Sequence, residues 1–289
     1  MNSTSEKVPY MGFVVEPYST FLCYEIADIE AAKALLPDHF ELVKTSVFDN
    51  DEPKYYCIFG CINVHTSAFW GSRVEFYIIA EDTRTRLLSW IIVDYDTNTI
   101  SYDKKSGLRA PNSPTAVITT NHRGRLFADI LNTKDSRHLS FDYTLTDGIM
   151  TPLAQRLWLE GNLSIGYGKI LSENEADIFS LKFEPCEVEK ALYIDTAQVT
   201  VNANTWFPGL FHEKPAVVAC FPYAQHFVSD TPGHASLLKD EKELEEAVKS
   251  IDFTKISSFS VEFLLPMFIG GMILSLLTTI VLVALLIIT

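Results

Sequence analysis

From Phe263 to Thr289 the chain carries no charged residue, and the run reads FLLPMFIGGMILSLLTTIVLVALLIIT. A bilayer core is spanned by about 20 apolar residues of helix, and a buried helix of a soluble protein would keep one polar face over such a length. This run keeps none, so the expectation is a single transmembrane helix over residues 263–289, in contact with the lipid bilayer. Pro266 stands near its start, where a helix tolerates proline best. Gly271, Ser275 and Thr279 recur at every fourth position. Such a stripe either packs two membrane helices together, giving a homo-oligomer through the anchor, or is the ordinary small-residue content of a membrane helix.

The opening MNSTSEKVPY has no apolar signal core, and Lys249 and Lys255 lie just before the apolar run. The chain therefore reads as single-pass with a C-terminal tail anchor, inserted after synthesis, and with its main domain in the cytosol. Residues 236–262 precede the anchor. They hold an amphipathic helix (SLLKDEKELEEAVKSI, 236–251) and a hinge rich in Ser and Thr. Residues 1–235 contain no linker-like stretch and no repeat, which points to one domain.

The charge lies outside the anchor. Lys and Arg number 23 against 37 Asp and Glu, a net charge of −14. A surface of this sign repels phosphate backbones, so nucleic acid is excluded as a partner. The five cysteines form no regular disulfide framework and no zinc-site spacing. Cys57 and Cys61 are four positions apart, which in a strand places both on one face as packing residues. The set fits a reducing compartment.

Residues 17–26 read as a strand. A helix follows, capped by Asp28, with Ile29, Ala32, Leu35 and Leu36 on one face and Pro37 as its stop. Segments rich in β-branched and aromatic residues then recur between turn formers: 54–65, 74–81, 87–95, 115–120, 125–131, 138–145, 157–165, 176–183, 198–204 and 216–220. A short helix is expected at 187–193. Many short strands with few helices predict a mostly β domain, an antiparallel sheet closed into a barrel or folded as a sandwich, able to enclose a small-molecule cavity.

Most site patterns are absent. No P-loop occurs, Gly166-Tyr-Gly168 lacks the rest of a dinucleotide loop, and the seven histidines make no HExxH. No metal and no cofactor is expected. Two features remain. Trp206, Phe207, Tyr223 and His226 belong to an aromatic stretch that either lines a ligand pocket or packs as core. Lys104-Lys105 is either an exposed turn or a pair in which one ammonium lowers the pKa of the other, freeing an amine for Schiff-base chemistry.

Tyr18 to Leu42 (YSTFLCYEIADIEAAKALLPDHFEL) resembles the opening of acetoacetate decarboxylase-like proteins, with a strand, a helix ended by a hydrophobic-Pro step and a return strand. Cys61 to Ile130 is similar in the order of its elements, and the likeness spans about residues 10–235. The resemblance implies a β-barrel-like domain with a central cavity. It further implies Lys104 as the Schiff-base amine, Lys105 as its cationic neighbour and Glu75 as an active-site carboxylate. The family's aromatic-Pro step is here Tyr102-Asp103, its first-strand arginine falls at about Tyr18, and a second pocket glutamate falls near Cys57. A second register sets 107–113 against the lysine motif and leaves no catalytic lysine. The sequence thus supports a membrane-anchored, acetoacetate decarboxylase-like protein that binds a small carbonyl or lipid-like ligand. It is either a lyase acting on keto acids or a relative without catalysis. The alternative is a membrane-bound scaffold or accessory subunit whose acidic face docks a partner.

Overall fold

The computed structural model describes residues 11–66, 69–98, 100–101, 113, 115–145, 148–160, 165–167, 181–229 and 269–280. The chain divides into two compact units, Met1–Ile256 and Ser257–Thr289. The strands of the first unit begin with β1 (Met11–Val15) and β2 (Ser19–Glu25), then α1 (Ile29–Ala34) and the short β3 (Phe40–Leu42) and β4 (Lys44–Thr45). Three long strands follow, β5 (Lys54–Thr66), β6 (Phe69–Asp82) and β7 (Leu88–Thr97), and then β8 (Ile100–Ser101). Next come β9 (Thr115–Thr120), β10 (Arg125–Asn132), β11 (Arg137–Thr144), β12 (Ile149–Pro152), β13 (Ile165–Tyr167) and β14 (Leu181–Phe183). The last described strands of the unit are β15 (Lys190–Ile194), β16 (Thr200–Asn204), β17 (Val217–Phe221) and β18 (Gln225–Ser229).

These strands make a large, mostly antiparallel sheet and a four-stranded one ordered β16-β11-β10-β9. In the large sheet β5 is the pivot. Its first half pairs with β2 and its second half with β1, while its other edge carries β6. Because side chains alternate across a strand, β6 feeds two cores. Val74, Phe76, Ile78 and Ala80 belong to a cluster shared with the four-stranded sheet (Ile118, Leu126, Phe141) and α1 (Ala32). Tyr77 and Ile79 face the opposite cluster, with Trp90, Trp158, Phe221 and the packed Phe21. Arg137 links the two sheets: its guanidinium bonds Asp94 and, at 2.6 Å, Asp96 on β7, and lies 4.5 Å over the Trp206 ring.

The α1 reading holds. Asp28 accepts from the Ala31 amide at 2.9 Å, and Ala32 and Leu36 are buried. Asp28→Ala is expected to cost about 1 kcal/mol of stability, checked by denaturant unfolding, because it orphans a first-turn amide. Cys57 and Cys61 do share one buried face, in the same cluster. Burial pushes the thiols of Cys23, Cys57, Cys61 and Cys220 up; burial and the neighbouring Glu184 raise that of Cys186 too, but Cys186 alone is exposed. Of the five cysteines, a thiol reagent at mildly alkaline pH is therefore expected to titrate Cys186 alone in the native protein and all of them after unfolding.

Two sequence expectations are corrected. Over its described residues the segment 157–165 is not one strand: Arg156–Glu160 is a π-helical turn, and Ile165 belongs to the strand Ile165–Tyr167. Its apolar residues serve to bury Leu157 and Trp158, whose indole donates to the Val47 carbonyl at 2.8 Å. The helix expected at 187–193 is a 3-10 turn, Pro185–Val188, followed by β15. Pairing with β17 and β12 supplies β15 with ladder partners that an isolated helical pattern lacks.

In the second unit residues 269–280 are α-helical with exposed apolar side chains, among them Met272 and Leu274. No helix among the described residues is long and apolar enough to cross a membrane. The remainder of 263–289, and the helix expected at 236–251, lie outside the described residues.

Candidate functional site

The sequence Arg73-Val-Glu-Phe-Tyr77 alternates along β6, so Arg73, Glu75 and Tyr77 emerge on one face. Arg73 Nε donates to Glu75 Oε1 at 2.8 Å, and its Nη2 lies 2.5 Å from the same oxygen. The Tyr77 hydroxyl donates to Glu75 Oε2. Both carboxylate oxygens are thus engaged. All three side chains are buried, Arg73 at 3% exposure and Glu75 at 8%. The guanidinium also lies 4.3 Å over the Tyr95 ring. Tyr95 is the cross-strand partner of Glu75, and the pairing of β6 with β7 shifts register just beyond it, between Phe76 and Tyr77. Such bulges re-aim the side chains beside them.

The surroundings of this trio are aromatic. Phe21 meets Trp158 at 5.0 Å, Phe221 at 5.7 Å and Trp90 at 5.9 Å, all edge-on, and Tyr77 meets Trp90 at 5.1 Å. Across the ladder from Glu75 stands Gly60. A Cβ there would come within 2.9 Å of the Tyr77 ring and 3.1 Å of Phe21, so glycine is what lets the tyrosine close over the carboxylate. The trio can hold an ionised carboxylate in a buried setting through charge-assisted hydrogen bonds. Gly60→Ala is expected to weaken the Tyr77–Glu75 contact, seen as a shift of the Tyr77 hydroxyl resonance, with a stability loss of about 1–3 kcal/mol from overpacking.

A second locus lies at the edge of the four-stranded sheet. Trp206, buried at 1% exposure, follows β16, and the chain then turns through Phe207 and Gly209, both at positive φ (39° and 83°). This turn borders a cavity of about 500 Å³ lined by Val199, Val201, Asn204, Trp206, Phe207 and Phe211, with the exposed Glu213 and Lys214 also on its wall. The volume is that of a small-molecule site. Phe207 stacks on Phe76 at 4.8 Å, and Trp206 meets Phe59 edge-on at 5.7 Å. Trp206 Nε1, Asn204 Nδ2 and the Tyr24 hydroxyl are buried without a hydrogen-bond partner among the described residues. A donor left so costs about 1–3 kcal/mol. Burial pushes the Tyr24 phenol up to about 12 and Asn204 pulls it back, so the two side chains lie close although no hydrogen bond joins them.

The candidate residues therefore divide. Glu75 is buried in the sheet interior, and Trp206 and Phe207 line the cavity. Tyr223 and His226 do not line it: the Tyr223 hydroxyl donates to the Lys190 carbonyl, and His226 Nδ1 lies 2.8 Å from Glu187 Oε1. They fasten β18 and the end of β17 to the 185–190 segment. Lys104 and Lys105 lie outside the described residues. No group of three or more His, Cys, Asp or Glu able to hold a metal occurs among the described residues. Sequence reasoning missed Tyr77 and Tyr24. The alternation of Arg, Glu and Tyr along one strand was the available signal for Tyr77. Tyr24 comes close to Asn204, which opens the aromatic stretch, only through pairing of distant strands.

No family model matches the sequence, and no curated protein does. Among solved structures, the acetoacetate decarboxylase of Legionella pneumophila is similar in fold, with a TM-score of 0.53 at 10% identity over 82% of this chain and 93% of that one. The first unit thus has the mostly β, acetoacetate decarboxylase-like fold.

Proposed function

We propose that this protein is a non-catalytic relative of the acetoacetate decarboxylase-like fold. It binds a small carbonyl-bearing or lipid-like ligand and is held at a membrane by residues 263–289. The observation that carries the reading is the cavity of about 500 Å³ beside Trp206 and Phe207. An aromatic, partly polar cavity on a rigid sheet is suited to reversible binding. The absence of catalysis is inferred from Glu75. An acid–base group must be free to exchange a proton with substrate, whereas both oxygens of this carboxylate are occupied by Arg73 and Tyr77. Membrane attachment is supported by the uncharged run 263–289 and by the exposed apolar side chains of helix 269–280.

The test is borohydride trapping. The full-length protein is incubated with acetoacetate and a panel of small keto acids and ketones, reduced, digested and analysed by mass spectrometry. The expected result is no adduct at Lys104 or Lys105 while ligands still bind. A reduced adduct at either lysine, lost on its change to Ala, would replace this reading with a Schiff-base lyase.

A further inference from the structure

We infer that the outer edge of β16 is a docking site for one extended segment of a partner protein, basic in charge and apolar at alternate positions, which adds to the four-stranded sheet as a fifth strand. The inference rests on the reading above that the cavity beside Trp206 and Phe207 is a binding site, and it names a partner for it. The contrast between two edges carries the argument. The sheet runs β16-β11-β10-β9, so β9 and β16 are its ends. At β9 the large sheet closes the edge: Asn98 Nδ2 donates to the Ala116 carbonyl and Asn63 Nδ2 to the Ile118 carbonyl, each at 3.0 Å. No strand pairs with the outer edge of β16 among the described residues.

That open edge is also a wall of the cavity. Successive residues of a strand point to opposite faces, so a strand seen from one face lines a cavity with every second residue. Val201, Asn202, Ala203 and Asn204 all line this one, which is a strand seen from its edge. The ladder agrees. The Thr205 amide donates to the His138 carbonyl at 3.0 Å, so the backbone of Thr205 faces β11 and that of Asn204, one residue earlier, faces away. Register then passes from Ala203 opposite Ser140 to Val201 opposite Phe141, which leaves Asn202 without a cross-strand partner. β16 carries no proline and no charged residue to blunt the edge. Val199, Phe207 and Phe211 line the same cavity half-buried and can receive apolar side chains at alternate positions. A cavity of about 500 Å³, walled also by the chain beyond Trp206, admits one extended segment. It does not admit the edge of a second folded copy, which would bring a whole sheet with it. The net charge of −14, with Asp195 and Glu213 exposed beside the groove against Lys214, favours a basic segment.

The experiment uses the full-length chain in nanodiscs of phosphatidylcholine, with empty nanodiscs as the blank. The probe is the fluorescein-labelled peptide Gly-Lys-Val-Lys-Ile-Lys-Val-Gly, followed by fluorescence anisotropy, beside a counterpart with Glu in place of each Lys. Two further versions are N-methylated, one at the Lys amides and the other at the Val and Ile amides. Amides two residues apart point to the same edge of a strand, so only one of these sets faces β16. The expected result is saturable binding of the Lys peptide, weakened about tenfold or more by one set of N-methyl groups and less than about threefold by the other. The Glu peptide is expected to bind about tenfold or more weakly. Asn202→Pro removes an N–H that has no cross-strand partner, at a strand edge where proline is tolerated. It is expected to weaken the Lys peptide about tenfold with the unfolding midpoint little changed. On the same samples 4-phenylbutan-2-one is followed by saturation-transfer NMR as a small carbonyl ligand.

Equal effects of the two N-methyl sets overturn strand addition, and a Glu peptide bound as tightly as the Lys peptide overturns the basic partner. Binding unchanged in a folded Asn202→Pro overturns the placement on β16. No peptide binding while the ketone binds overturns the partner and leaves the ligand-binding reading standing; no binding of either overturns both. A dimer of the full-length protein that Asn202→Pro separates, with no peptide bound, assigns the edge to a second copy and overturns the peptide reading. Should Asn202→Pro fail to fold, the paired N-methyl sets decide the matter.

Discussion

Arg73→Ala is expected to lower the unfolding free energy by about 3–5 kcal/mol, because it leaves a buried carboxylate without its counter-ion. Glu75 is 8% exposed and rests on Arg73 and Tyr77. Removing the guanidinium leaves the tyrosine hydroxyl to meet a charge that water cannot reach. Chemical denaturation of the full-length protein and of Arg73→Ala measures the effect. The double change Arg73→Met with Glu75→Leu is expected to recover most of the loss, since exchanging a buried pair for apolar residues of similar volume is often neutral or better. Equal loss in the single and double variants would show that the ion pair is not the source of the effect. A stable double variant that still binds ligand would confirm that the trio supports the sheet interior rather than the ligand.

The second large effect is expected at Trp158. Trp158→Ala should cost about 3–5 kcal/mol through the cavity it opens. The indole is 1% exposed, packs edge-on against Phe21 at 5.0 Å and Phe221 at 5.1 Å, and donates to the Val47 carbonyl at 2.8 Å. Trp158 therefore ties the π-helical turn at Arg156–Glu160 to three separated parts of the chain. Trp158→Phe retains the ring contacts, orphans the Val47 carbonyl and is expected to lose less. Urea unfolding of the two variants separates the packing contribution from the hydrogen bond. A loss under about 1 kcal/mol in Trp158→Ala would show that the cluster collapses to fill the gap.

Local signals were legible where one short segment carries the whole cause. The Asp28 cap and the Pro37 stop define α1 because capping involves residues three apart. The runs at 54–65 and 74–81, rich in β-branched and aromatic residues, are strands that bury side chains on both faces. At 157–160 the same apolar richness misled, since it signals burial without specifying the backbone that achieves it. At 187–193 helical propensity yielded to the ladder partners offered by β12 and β17.

The candidate site divides along the same line. Glu75, Trp206 and Phe207 were visible by residue type and motif, and Arg73 stood beside the first of them in the sequence. That both oxygens of Glu75 are occupied was not visible, because it depends on the side-chain conformations that β5 and β7 impose on β6. Nor was the separation of Tyr223 and His226 from Trp206, since nearness in sequence carries no distance across a sheet turn.

What the sequence by itself determined is therefore the class: a mostly β, acidic domain with an uncharged apolar run, read from periodicity and composition that act over a few residues. The tertiary structure alone decided which polar groups are satisfied. Gly60 opposite Glu75 admits the Tyr77 ring, and β2 and β16 bring Tyr24 close to Asn204. Those relations arise from strand register, and register is an outcome of packing two faces at once, which no single segment contains.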